Sequence, residues 1–151
     1  MASNNAILNF GTKKSFIGSN ARIMCFEYIS LGDTCEITWD CQIMDTSFHY
    51  IEDMSNNVIK PLTKPVTIGN NVWVGNRTTI SKGSVLPDFT IVASSSLVNK
   101  DFSDIGENCL IAGMHAKLKH NNIRRVYDYK KQRELDKKLN YSRTYWNCQL
   151  I

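Results

Sequence analysis

No run of apolar residues in this 151-residue chain approaches the roughly eighteen needed to cross a bilayer as a helix, which argues against a helical membrane span. The first sixteen residues, MASNNAILNFGTKKSF, lack the apolar core of a secretory signal, so a cytoplasmic protein is expected. An even complement of cysteines is also missing. There are five, and an odd number argues against a disulfide framework. Positive charge is scarce over most of the chain. Residues 1–116 hold eight Lys or Arg against eleven Asp or Glu, and 117–151 hold ten against three. The net charge of +4 therefore sums a mildly acidic body and a basic tail. No groove-reading motif accompanies that tail, so a nucleic-acid partner is not indicated.

What the chain does have is a six-residue rhythm, running with one interruption from about Ile17 to Ala112. From Ile68 it reads IGNNVW, VGNRTT, ISKGSV, LPDFTI, VASSSL. Upstream it reads IGSNAR, IMCFEY and, after a two-residue slip, LGDTCE, ITWDCQ, IMDTSF. Each unit opens on an aliphatic residue and carries a small or β-branched one four places on. That is the period-2 alternation of a short strand with one buried face. Gly, Asn, Asp and Ser follow where the chain must turn. Three units would close a triangular coil of about eighteen residues, and stacked coils would bury a core that no single coil can bury. The fold class is thus an all-β solenoid, a parallel β-helix of hexapeptide repeats. Cys35, Cys41 and Cys109 occupy the small inward slot, as Val72 and Thr78 do, and are expected to be buried free thiols.

The rhythm divides the chain into a lead-in over 1–16, a solenoid over 17–119 and a basic tail over 120–151. The tail segment RRVYDYKKQRELDKKLNY reads as a short C-terminal helix. Its sparse apolar stripe is Val126, Tyr129 or Leu135, and Leu139, placed to cap the open end of the solenoid. Within the solenoid the beat breaks once. After Ile43 the next aliphatic slot falls on His49, and the chain leaves the pattern until Val66. A stacked coil tolerates insertion only at its corners, so residues 49–65 should form a protruding loop, a common place for function.

The stretch KPVTIGNNVWVGNRTTI, with VASSSLVNKDF, IAGMHAKLKH and the preceding IMDTSFH, resembles the hexapeptide-repeat acyltransferases, and most of all the bacterial sugar and polysaccharide O-acetyltransferases. The resemblance covers roughly two thirds of the chain. It implies a left-handed coil, an exception to the usual right-handed crossover. It also implies acetyl-CoA as acyl donor, a sugar or saccharide acceptor and a homotrimer.

By the same resemblance His49 is the general base. An imidazole can take a hydroxyl proton near neutral pH as the thioester is attacked, an effect worth typically 10² to 10⁴ in rate. Asp45, four residues earlier, would orient the imidazole or hold the acceptor, and it reads equally as a turn aspartate. Trp73, Asn76, Ser94, Asn99 and Lys100 match positions lining the pantetheine arm and nearby phosphates, and Lys117 and His120 match basic positions near the adenosine end. Two segments depart from the family: MHAK stands where VPAK is usual, and ASSS where GAGS is usual.

Other readings stay open on the sequence. One is N-acetylation of an amino sugar, and another is a non-catalytic β-helix subunit. The same fold hosts zinc carbonic anhydrases with three histidine ligands, but His115 and His120 fall at the far end of the repeats from His49, so no metal site is expected. Trp73 and Ile91 lie one coil apart in outward slots and should stack as an apolar stripe. Such a stripe usually marks an interface, and closed rotational symmetry is its common solution.

Overall fold

An aliphatic side chain recurring every six residues has one place to go if the chain turns after each short strand, and that place is the axis of the coil. The computed structural model describes residues 4–141 and forms a left-handed parallel β-helix of about five turns. Three sheets make its walls. The first holds β1 (Ile7–Phe10), β4 (Tyr28–Leu31), β9 (Val66–Ile68) and β12 (Val85–Leu86). The second holds β2 (Phe16–Ile17), β5 (Glu36–Ile37), β10 (Trp73–Val74), β13 (Ile91–Val92), β15 (Cys109–Ala112) and β16 (Lys117–Asn121). The third holds β3 (Arg22–Met24), β6 (Gln42–Met44), β11 (Thr79–Ile80) and β14 (Leu97–Val98). Within them all pairs are parallel except β15 with β16, which is antiparallel.

Register stacks like on like. In the third sheet Ile43, Ile80 and Val98 align and are buried, and in the second Ile37, Val74, Val92 and Ile111 do the same. Thr78, Ser84, Thr90 and Ser96 fill the narrow corners and satisfy their hydroxyls on nearby carbonyls, as Thr90 does on Pro87 at 2.7 Å. Cys35, Cys41 and Cys109 are buried free thiols, and Cys25 joins them. Many corners pass through the left-handed region, at Asn20, Asn71, Ser95 and Asn108 among others, which suits short polar side chains. Gly75 is needed for closeness: a Cβ there would stand 2.5 Å from the Ser94 amide nitrogen of the next coil.

Three features differ from the sequence pattern. The ladder starts before the first hexad, because β1 pairs with β4 from Ile7 to Phe10 although no six-residue beat marks it. At the other end the last coil is followed by β16, which doubles back along β15, and not by a helix. The helix α1 covers only Tyr129–Lys138, because Asp128 accepts hydrogen bonds from the Lys130 and Lys131 amides and fixes its start there. α1 does not bury the expected stripe. Tyr129 and Leu139 are exposed, while Gln132 and Asp136 are buried. Residues 123–128 form an irregular strap with no helical turn. Residues 1–3 of the lead-in and 142–151 of the tail lie outside the described residues.

Candidate active site

The insertion leaves the coil at the corner between β6 and β9. Beyond it β7 (Ile51–Asp53) and β8 (Val58–Lys60) pair as an antiparallel hairpin, with Tyr50 and Met54 more than two thirds exposed. The root of this loop is closed like a ladder. Thr46 bridges Thr63, the Ser47 amide donates to Leu62 O at 3.0 Å, and the Lys64 amide donates to Asp45 O at 2.9 Å. Phe48 then takes a positive φ of 60° and sets its ring edge-on to Phe26 at 5.5 Å, which turns the chain sharply into His49. His49 is exposed at this root, and its imidazole makes no hydrogen bond among the described residues.

Asp45 is not beside that imidazole. It is fully buried, and its carboxylate accepts from the Phe26, Glu27 and Tyr28 amides at 2.8, 2.7 and 2.8 Å. The turn reading of Asp45 therefore fits the geometry, and the orienting role does not. The carboxylate staples one coil to the next where β4 begins. The Cys25 thiol lies beside it, 3.8 Å from Oδ2, and burial first and the Asp45 charge second push that thiol up from its usual pKa.

The residues matched to the acyl donor spread over the solenoid. Trp73 stands on the outer face of the second sheet in register with Glu36 and Ile91, and His120 is on the same sheet opposite Leu110. Asn76 and Ser94 meet at the corner between the second and third sheets, where the Ser94 hydroxyl donates to Asn76 Oδ1 at 2.6 Å. Asn99 and Lys100 lie after β14, at the corner that also carries the His49 loop. Asn99 Nδ2 is 2.8 Å from His115 Nδ1, and Lys100 Nζ sits 4.8 Å from the Phe102 ring centroid. Lys117 is exposed on β16. The single chain thus brings together Asn76 with Ser94, and places Asn99 and Lys100 on the His49 corner, but leaves Trp73 and His120 on a separate face.

That face is where the sequence reading missed the most. Arg125 of the strap forms an ion pair with Glu36, and its guanidinium lies 5.6 Å from the Trp73 ring and 5.3 Å from the Tyr127 ring. The Tyr127 hydroxyl donates to Asn71 O, and burial raises its pKa. Strap and coil border a cleft of about 540 Å³ lined by Lys14, Phe16, Thr34, Asn71, Arg125 and Tyr127, at a different corner from His49. A further missed residue is Lys82, whose Nζ reaches Ser47 Oγ, Pro61 O and Leu62 O at the loop root. Its signal was available: Lys64, Lys82 and Lys100 are each eighteen residues apart, one per coil at one corner.

No family model matches the chain. Among curated proteins, an uncharacterized 24.8 kDa protein in the cps region of Klebsiella pneumoniae is 36% identical over 108 residues, 72% of this chain and 46% of that one. Galactoside O-acetyltransferase of Escherichia coli is 36% identical over 64 residues, 42% of this chain and 28% of that one. The chain therefore spans less than half the length of these relatives. Among solved structures, the polysialic acid O-acetyltransferase OatWY is 28% identical with a TM-score of 0.62, over 88% of this chain and 70% of that one. The polySia-specific acetyltransferase NeuO superposes with a TM-score of 0.72 at 23% identity, over 87% and 63%. A hexapeptide-repeat acetyltransferase of Vibrio cholerae complexed with acetyl coenzyme A gives 0.62 at 21%, over 80% and 69%. No helix among the described residues is long and apolar enough to cross a membrane.

Proposed function

We propose that the chain, which shares the fold of the hexapeptide-repeat acetyltransferases, moves an acetyl group from acetyl-CoA to a hydroxyl of a sugar or surface-polysaccharide precursor, with His49 as general base. The observation that carries this reading is the position of His49: exposed, with an imidazole that makes no hydrogen bond among the described residues, at the hydrogen-bonded root of the loop that projects from the solenoid between β6 and β9. An acceptor hydroxyl brought to the imidazole gives up its proton to a ring nitrogen as its oxygen attacks the thioester carbonyl. The new C–O bond forms, the C–S bond breaks, and the CoA thiolate recovers a proton from the imidazolium. Neither a serine nor a cysteine nucleophile is needed, and the buried thiols of this chain could not serve as one.

Trp73, Asn76, Ser94, Asn99, Lys100, Lys117 and His120 are proposed to hold the donor. They stand on several corners and faces of successive coils, so the complete donor groove is proposed to be shared between protomers of a homotrimer acting in the cytoplasm. Lys100 and Lys117 are exposed and would act on the phosphates through charge, an attraction that salt weakens. Asp45 takes no part in the transfer.

The test is acetyl-CoA consumption, read as thiol release, against a panel of saccharides that includes galactosides and oligosialic acid. Acceptor-dependent release is expected, and a folded His49→Ala protein should lose turnover by about 10² to 10⁴. A well-folded His49→Ala protein keeping more than about a third of wild-type turnover would overturn the base assignment, because that loss is far below what general-base catalysis supplies. A monodisperse monomer in light scattering at micromolar concentration would overturn the trimer.

A further inference from the structure

An ammonium group has three donors, and at Lys82 all three point at the root of the loop that carries His49. Nζ donates to Pro61 O at 2.6 Å and Leu62 O at 3.2 Å on the returning limb of the loop, and to Ser47 Oγ at 2.9 Å on the outgoing limb. Leu62 O also accepts the Ser47 amide at 3.0 Å, so its two lone pairs are taken by N–H donors. The single proton of the Ser47 hydroxyl is left for its nearer carbonyl acceptor, His49 O, at 3.0 Å. A chain of hydrogen bonds therefore runs from the Lys82 ammonium through the Ser47 hydroxyl to the backbone of His49 itself. Charge on the first donor polarises the hydroxyl and strengthens the second bond.

The neighbouring lysines at this corner do something else. The Lys64 side chain lies over Gly83, where a Cβ would come within 2.5 Å of its Cδ, and Lys100 is held over the Phe102 ring. Only Lys82 of the three is turned into the loop root. Its position on a later coil, in the turn between β11 and β12, means that the solenoid, not the loop, sets where His49 sits.

We infer that Lys82 is a positioning residue for His49, acting through Ser47; this rests on the reading of His49 as general base. A misplacement of about 1 Å costs on the order of 10² in rate when a catalytic group must meet its proton in a narrow geometry. The root is already closed by backbone hydrogen bonds, so removing the ammonium should shift His49 without unfolding the coil.

The experiment uses the full chain with acetyl-CoA and the best acceptor of the saccharide panel, and reads kcat and KM separately for Lys82→Met, Lys82→Arg, Ser47→Ala and His49→Ala. Lys82→Met is expected to lower kcat about 10- to 100-fold with KM for acetyl-CoA within about twofold, and Lys82→Arg to recover a good part of it. In the His49→Ala background Lys82→Met should lower the residual rate less than about twofold, because a group that acts through an absent imidazole has nothing left to place. Ser47→Ala, which removes the hydroxyl that links Lys82 to His49 O and keeps the ammonium, should lower kcat in the same direction and decides the matter if Lys82→Met fails to fold. The inference is overturned if Lys82→Met and Ser47→Ala stay within about threefold of wild type while His49→Ala is down by 10² or more. Equal losses from Lys82→Met in both backgrounds would also overturn it, since they would mark a merely structural lysine. Full activity in His49→Ala would instead remove the general-base reading, and this inference with it.

Discussion

The His49 loop and the strap over 123–128 both leave the six-residue lattice, and they are held in different ways. The His49 loop departs from one corner and returns to the same corner, so both its ends can join the backbone ladder through the Thr46–Thr63 bridge and the Ser47 and Lys64 amides. The strap over 123–128 leaves after β16 and rejoins no parallel strand, so beyond the Ile123 amide, which donates to Asn108 O at 2.8 Å, side chains secure it. Arg125 is pinned to Glu36 and laid over Trp73, and Tyr127 is fastened to Asn71 O. Backbone closure leaves the His49 imidazole of the first segment free for chemistry, whereas the second spends Arg125 and Tyr127 on attachment. An exposed imidazole at a rigid root is what the first arrangement yields. The second yields partial cover for the outward row of Glu36, Trp73 and Ile91 that the sequence presents as bare.

The largest test of that contrast sets His49 against Asp45, four residues apart. His49→Ala should cut turnover by about 10² to 10⁴ and leave the melting temperature almost unchanged, because an exposed residue contributes little packing. Asp45→Ala should do the reverse. It orphans three backbone amides at a fully buried site, which costs on the order of 3–5 kcal/mol and should lower the melting temperature by many degrees. Calorimetry and steady-state kinetics on the same two proteins check this. Matched losses of activity without loss of stability in both would restore Asp45 to the chemistry.

The difference between these two residues also shows what a sequence can reveal in a fold of this kind. Inward positions obey a period, so Cys35, Cys109, Val72 and Thr78 could be placed from the hexads alone, and so could the break at His49. Asp45 sits in a turn slot, two places after Ile43 as Asn70, Asn76 and Asp88 are placed in their units, and nothing in the period says that it is buried or that its carboxylate caps the amides of the preceding coil nineteen to seventeen residues upstream. Ile7 to Phe10 join the ladder without a beat because the first coil buries only one face against a neighbour, and its Leu8 and Phe10 remain partly exposed. The strap was illegible for a related reason: Arg125 and Tyr127 are fixed by residues more than fifty positions away, and local pattern carries no information about such contacts. The triplet Lys64, Lys82 and Lys100 is the exception. Three cations stacked on one corner repel unless each has somewhere to go, and that could have been asked of the sequence.

Breaking the strap should have a smaller effect. Arg125→Ala removes an ion pair whose side chains are 25% and 30% exposed, together with two ring contacts, and should cost about 1–2 kcal/mol. With Trp39 and Trp146 replaced by Phe, Trp73 emission should shift to the red and quench more readily in acrylamide as the strap lifts. Turnover should stay within a few-fold if the strap is only a cover. Raising salt should reproduce part of the shift in the wild-type chain, since a partly exposed pair is partly screened. An Arg125→Ala protein with unaltered Trp73 fluorescence would mean that the guanidinium does not hold the strap in place.

The smallest expected effect lies at the tip of the loop, where closure is weakest. Asp53 accepts from the Ser55 hydroxyl at 2.6 Å and the Ser55 amide at 3.1 Å, and Lys60 stands 3.7 Å away. The Ser55 hydroxyl first, then its amide, hold the Asp53 carboxyl below its ordinary range. A carboxyl with a depressed folded-state pKa adds stability above its unfolded pKa, and that stability is lost as pH falls through the folded value. Hydrogen exchange of the hairpin amides over 51–60 should therefore show protection declining below about pH 4, after allowance for the intrinsic pH dependence of exchange. Asp53→Asn, which cannot ionise, should abolish that extra decline, while the root amides of Ser47 and Lys64 keep their protection in both proteins. Simultaneous loss of protection at tip and root would show that loop and solenoid open as one unit, and would erase the distinction between a rigid root and a free tip.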